Sequence, residues 1–155
     1  MEAALRGARD QRVVLIACLS VLLTLVVGTS TAGADSVYHT ERLELTPVDG
    51  SGETGSGMVV NIHPNGPIVG AQERYQLRDA MPNTDYVVWI VIGGGDFLPT
   101  ATIHTDRHGN GHAKARFSAE ELAPFSGAVI PGVKWVLRSG GDDVYETPET
   151  TISID

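Results

Sequence analysis

Cysteine is nearly absent from this chain. Its one copy, Cys18, lies inside an apolar stretch near the N-terminus, so the remainder has no thiol for a disulfide or for redox chemistry. Basic residues are scarce as well: 11 Lys and Arg stand against 19 Asp and Glu, a formal net charge of −8. An acidic surface repels phosphate backbones and anionic headgroups, which argues against nucleic acid and anionic membrane surfaces as partners. Hydrolase signatures are missing too, with neither a G-x-S-x-G elbow nor an H-E-x-x-H helix. The acid pairs Glu120-Glu121 and Asp142-Asp143 read as a helix turn and a loop rather than as a positioned acid and base.

One long apolar run is present, VVLIACLSVLLTLVVG at residues 13–28. Arg6, Arg9 and Arg12 precede it, and Ala32-Gly33-Ala34 supplies the small side chains that signal peptidase subsites admit. The pattern predicts a signal peptide over residues 1–34, with a secreted, periplasmic or cell-surface body over residues 35–155. The alternative is an N-terminal membrane anchor. As a helix the run covers about 24 Å against a hydrocarbon core of about 30 Å, and residues 29–34 would extend it enough to span. The arginines in front, with Asp35 and Glu41 behind, put the N-terminus in the cytoplasm either way. Leu15-Ile16-Ala17-Cys18 loosely resembles a lipobox, but a lipobox ends its apolar region and here the run continues. No comparable run follows, so any membrane attachment is expected through this segment alone. The body has the length of a single domain, and it keeps eight basic and 17 acidic side chains.

Within the body the periodicity is two, broken by Gly, Pro, Asn and Asp, which predicts short strands joined by turns. Leu43 and Leu45 alternate with Arg42 and Glu44. Met58, Val60 and Ile62 mark a second strand, Tyr75 and Leu77 a third, and residues 84–92 the strongest. Residues 101–105, 111–117 and 133–138 follow, with a last strand ending at Ile154. Ser118-Ala119-Glu120-Glu121 is a capping box for one helical turn, stopped by Pro124. Seven to eight such strands predict an all-β fold, an antiparallel β-sandwich preceded by the N-terminal apolar helix.

The stretch Leu77-x3-Met81-Pro82-Asn83-Thr84-Asp85-Tyr86-Val87-Val88 resembles the L-x-x-L-x-P-x-T-x-Y-x-V segment of fibronectin type III and related immunoglobulin-like domains. The resemblance implies a tyrosine corner at Tyr86, in which the hydroxyl bonds back to the preceding turn. It also implies a Greek-key sandwich and a binding or adhesion role. It covers about a dozen residues and leaves a longer C-terminal part than that family has. The tryptophan expected on an early strand is also missing, so it points to the sandwich rather than to membership.

Candidate site residues fall on one strand and two loops. If Tyr86, Val88, Ile90 and Ile92 face a core, Val87, Trp89 and Val91 face the other way and are apolar as well. A half-buried strand should be polar there. Either another segment covers them, such as residues 125–131, or they form a patch for a protein partner or self-association. Gly93-Gly94-Gly95 introduces Phe97 and Leu98, read either as a plug folded onto the end of the sandwich or as a recognition tip. Residues 106–111, DRHGNG, place His108 where a Ca²⁺ loop needs an oxygen ligand, and the glycines and Asn110 suit a hairpin turn instead. Such a hairpin would put His104 and His112 on one face with Lys114 and Arg116. Two imidazoles on a β surface could bind Zn or Cu, although the neighbouring cations oppose it. The expectation is a non-catalytic binding, adhesion or structural module without a cofactor, the alternative being a small exported metal-binding protein using those two histidines.

Overall fold

The computed structural model describes residues 38–64 and 70–154; the predicted leader and the apolar helix lie outside them. Nine strands and one helical turn make up the described chain: β1 (Tyr38–Pro47), β2 (Ser56–Pro64), β3 (Ala71–Arg78), β4 (Asp85–Ile92), β5 (Gly95–His104), β6 (Gly111–Phe117), α1 (Ala119–Leu122), β7 (Ala128–Ser139), β8 (Asp142–Glu146) and β9 (Thr150–Ile154). A 3₁₀ turn, Ala123–Phe125, follows α1. All strand pairs are antiparallel, in the order β5-β4-β7-β8-β1-β2-β3-β6, with β9 also on β7. β1 closes the seam, since its first part pairs with β2 and its last two residues, Thr46 and Pro47, pair with β8. The edges β5 and β6 are consecutive in the chain and meet where Gly111 packs against Ile103 and His104. The result is a nearly closed, barrel-like sheet.

Two strands differ from their sequence reading. β5 starts at Gly95, so Phe97, Leu98 and Pro99 belong to a strand and not to a loop. Gly93 and Gly94, with φ of 57° and 80°, form a two-residue turn that returns the chain at once onto β4. Pro99 is accommodated because β5 is an edge strand and the register shifts beside it. Asp142–Glu146 is the second surprise: Gly140 and Gly141, both at positive φ, close a hairpin from β7, and the acid pair lies on β8. β9 continues the same line along β7 after an interruption at Pro148. β8 is thus the added strand that makes nine where seven to eight were expected.

The interior is organised in rows across β1, β2, β3 and β6. Leu45, Gly57, Leu77 and Gly111 stand opposite one another, as do Leu43, Val59, Tyr75 and Ala113. Tyr86, Val88 and Ile90 of β4 and Val133, Trp135 and Leu137 of β7 pack against them. In β2 the fully buried residues are Val59 and Asn61, the opposite parity to Met58, Val60 and Ile62. The capping box forms as the sequence indicates: Ser118 Oγ accepts from Glu121 N–H at 3.2 Å, and the Glu121 carboxylate accepts from Ser118 N–H at 2.7 Å.

One end of the barrel is held by Glu53, from the glycine-rich connection between β1 and β2. Its carboxylate accepts from the hydroxyls of Tyr86 (2.7 Å) and Tyr145 (2.9 Å) and from Met81 N–H (3.2 Å). Tyr86 Oη also accepts from Met81 N–H at 3.1 Å, the back-bond to the preceding turn expected of a tyrosine corner. Glu53 therefore pins the connection between β1 and β2. Burial and then Glu53 hold both phenols above their usual range, so they remain donors. Tyr86→Phe removes a hydrogen bond to a charged acceptor and should lower stability by about 1–2 kcal/mol in urea unfolding. A variant as stable as the parent would show that this end is held by packing alone.

Candidate functional site

At the opposite end, the next row across the sheet is polar. Glu41, Asn61 and Glu73 stand opposite one another on β1, β2 and β3, with Ala115 completing the row on β6. Asn61 is fully buried and Glu73 is 3% exposed. The Tyr75 hydroxyl donates to Glu73 Oε2 and lies 2.7 Å from Thr100 Oγ1, while Glu41 Oε1 accepts from Thr150 at 2.6 Å. Both polar atoms of the Asn61 side chain and the Trp135 indole nitrogen are buried without a hydrogen-bond partner among the described residues. Such atoms are uncommon in native interiors, because each costs the desolvation of an unpaired polar group.

Glu73 also lines a cavity of about 290 Å³ between the two sides of the barrel. Its walls are aliphatic, with Ile90 and Ile92 from β4, Ile130 from β7 and Ile152 from β9. Phe97, Leu122 and Phe125 surround the mouth, where the two phenyl rings meet edge to face with centroids 6.0 Å apart. Among the described lining residues only Glu73 and Glu121 carry polar side chains. Glu121 is committed to the capping box, and the Ser118 backbone N–H and then its hydroxyl hold that carboxyl below its usual range. Glu73 is the reverse case. Burial pushes its carboxyl up to about 7, against a smaller opposing effect from the Tyr75 hydroxyl and the nearby Trp135 indole. A neutral carboxyl is a donor and a carboxylate only an acceptor, so this group can change role near neutral pH.

The residues singled out from the sequence divide into three places. Phe97 and Leu98 line the cavity, with Phe97 still 43% exposed at its mouth, so the plug and recognition readings converge on one location. Val87 and Trp89 are half-buried and Val91 is buried on the outer face of β4. Their shelter comes from β7: Arg138 lies 5.1 Å from the centre of the Trp89 ring and is held by Asp96 (2.6 and 2.8 Å) and Asp143. Lys134, opposite Val91, pairs with Glu146 at 2.6 Å. Long charged side chains laid over apolar surface thus replace the cover expected from residues 125–131. That segment instead brings Phe125 and Ile130 to the cavity, against the other side of β4.

The histidines do not sit on a shared hairpin ladder. His104 ends β5 and lies 2.7 Å from Asp85 of β4, while His112 is on β6, opposite Gln76 of β3. No cluster of three or more His, Cys, Asp or Glu placed to hold a metal ion occurs among the described residues. The turn between the two strands is an Asx turn: Asp106 Oδ1 accepts from the N–H groups of His108 (2.7 Å) and Asn110 (3.0 Å).

Sequence reasoning missed Glu73 and Asn61, although a signal for the first was present. Glu73 shares strand parity with Tyr75 and Leu77, and a carboxylate in phase with core residues is out of place on a solvent face. Comparison with protein-family models, with curated proteins and with solved structures finds no match for this chain.

The raised carboxyl at Glu73 has a stability consequence of definite sign. The folded state retains a proton that the unfolded chain releases near pH 4.5, so stability falls as pH rises from about 4.5 to 7 and this contribution is flat above. Glu73→Gln should abolish that slope and, at pH 8, exceed the parent by an amount on the order of 3 kcal/mol. Parallel urea unfolding at pH 5 and pH 8 measures it. An identical pH slope in parent and variant would show that Glu73 titrates normally.

Proposed function

We propose that this chain is an exported, non-catalytic binding module built as an immunoglobulin-like Greek-key sandwich, with the cavity above Glu73 as its ligand site. The observation that carries the reading is a buried carboxyl group at an otherwise apolar cavity of about 290 Å³. That combination of apolar walls with a few convergent polar groups characterises small-molecule sites, and the volume lies at the lower end of their range. Of the two carboxyl groups in the described lining, Glu121 is tied up in the capping box and Glu73 is bonded to the Tyr75 hydroxyl, an arrangement that suits holding a ligand.

The strand order supports the sandwich. With β2, β3, β4, β6, β7 and β8 taken as strands A, B, C, E, F and G, one side reads A-B-E and the other C-F-G. β5 then extends the second side next to C, and β1 joins A to G. Under this assignment Tyr86 falls on C and Trp135 on F, the reverse of an antibody domain, where the tryptophan is on C and the corner tyrosine on F. The likeness therefore rests on topology more than on the tyrosine-corner stretch. Export rests on the apolar run at residues 13–28 and on Ala32-Gly33-Ala34.

Protein recovered from an exporting host tests both parts. Intact mass distinguishes cleavage after Ala34 from an uncleaved anchor. Toluene, titrated while isoleucine methyl resonances are followed, should shift Ile90, Ile92 and Ile152 saturably and be recovered unchanged. An absence of shifts at those methyls, or shifts only around Trp89, would contradict the assignment of the site.

A further inference from the structure

We infer that the cavity selects a small organic ammonium ion, an amine carried on a single aromatic ring or a short alkyl chain, with its charged head against Glu73. This rests on the cavity being the ligand site. Charge complementarity is the first argument. The polar lining consists of two carboxyl groups, Glu73 within and Glu121 toward the rim, and no described lining residue is Lys, Arg or His. A carboxylate or phosphate ligand would meet negative charge and no cation to pair with. The chain as a whole is acidic, so its field concentrates cations near the mouth.

The unmet hydrogen bonds are the second argument. The Tyr75 hydroxyl serves Oε2 of Glu73, and the Trp135 indole is the other donor close to the carboxyl. Asn61 stands directly across the β2–β3 ladder from Glu73, about 5 Å away between Cβ atoms, and its amide oxygen has no partner. An ammonium group carries three donors and no acceptor, which suits a carboxylate that lines the cavity. The groups facing Glu73 from other elements are Asn61 of β2, Thr100 of β5 through Tyr75, and Trp135 of β7, none of them cationic. A bound ammonium would thus be the positive charge nearest the carboxylate.

Volume sets the size of the apolar part. A cavity of about 150 Å³ holds benzene, so 290 Å³ accommodates one ring with a short linker and excludes a long acyl chain. Binding also fixes the proton balance. Below the Glu73 midpoint the incoming ammonium displaces the carboxyl proton to solvent, and above it no proton moves. Affinity for an amine should therefore rise from pH 5 to pH 8, whereas a neutral isostere should be indifferent.

The test uses 2-phenylethylamine, 2-phenylethanol and 3-phenylpropionate, titrated into protein from the exporting host and followed by Trp135-sensitive fluorescence and by isoleucine methyl shifts. At pH 8 the amine should bind at least about tenfold more tightly than the alcohol, and the propionate more weakly than either. Glu73→Gln should cost the amine about tenfold or more and leave the alcohol within about threefold. Should that variant fail to fold, the parent alone decides, because amine affinity should drop at least about tenfold between pH 8 and pH 5 while alcohol affinity holds. Alcohol binding as tight as amine binding, or amine binding indifferent to pH, would overturn the inference and leave the cavity as a neutral apolar site. Toluene binding without amine binding would do the same. If neither toluene nor any of the three ligands binds, the assignment of the cavity as a ligand site falls with it.

Discussion

The contact between the Glu73 carboxyl and the Tyr75 hydroxyl is the constraint around which one end of this barrel is arranged. A carboxyl group taken out of water is costly unless it is paired or protonated, and no cation among the described residues pairs with Glu73. The surrounding structure meets the cost with a hydroxyl donor, a second hydroxyl behind it at Thr100 and a carboxyl that remains partly protonated at neutral pH. The row containing Glu73 also carries Asn61 and Glu41, so polarity is confined to one layer of the interior, above an apolar core built from Tyr75, Leu77, Tyr86, Trp135 and Leu137. That separation lets the core supply stability while Glu73, alone of the polar layer, lines the cavity.

The two ends of the barrel use carboxylates differently. Glu53 comes from a loop and ties β4 and β8 through Tyr86 and Tyr145, whose rings meet edge to face 5.8 Å apart. Every contact it makes is a donor reaching toward it, which is how a structural carboxylate is satisfied. Glu73 comes from a strand, has fewer donors and borders open volume. Its position is fixed by the sheet ladder and by the Tyr75 hydroxyl, the preorganisation that the proposed ligand site calls for.

Much of the strand content was legible, because alternating residues such as Leu43/Leu45 and Tyr86/Val88/Ile90 declare a two-residue period. Strands bounded by glycine were harder to read. Gly93-Gly94-Gly95 and Gly140-Gly141 look like flexible loops, but two positive-φ residues make a tight turn, so Phe97 and Asp142–Glu146 are already on strands. The apolar outer face of β4 was recognised, yet its cover was not. Nothing in local periodicity tells that Arg138, far along the chain on β7, lies over Trp89 while fastened to Asp96. The candidate site was the least visible part. Phe97 and Leu98 were singled out for their loop and lie at the cavity, whereas Glu73 and Asn61 become a pair only through the β2–β3 register, which depends on a connection whose length the strand pattern leaves open.

The proposed binding role depends on the state of a single carboxyl group, and a carboxyl resonance reports it directly. A ¹³C-detected NMR titration resolving the Glu73 side-chain carboxyl in the ligand-free protein should show a midpoint at about pH 7, with the Trp135 indole N–H moving in step. A midpoint near 4.5, the ordinary value for glutamate, would mean that Glu73 is solvated in solution and would remove the basis for a buried binding carboxyl.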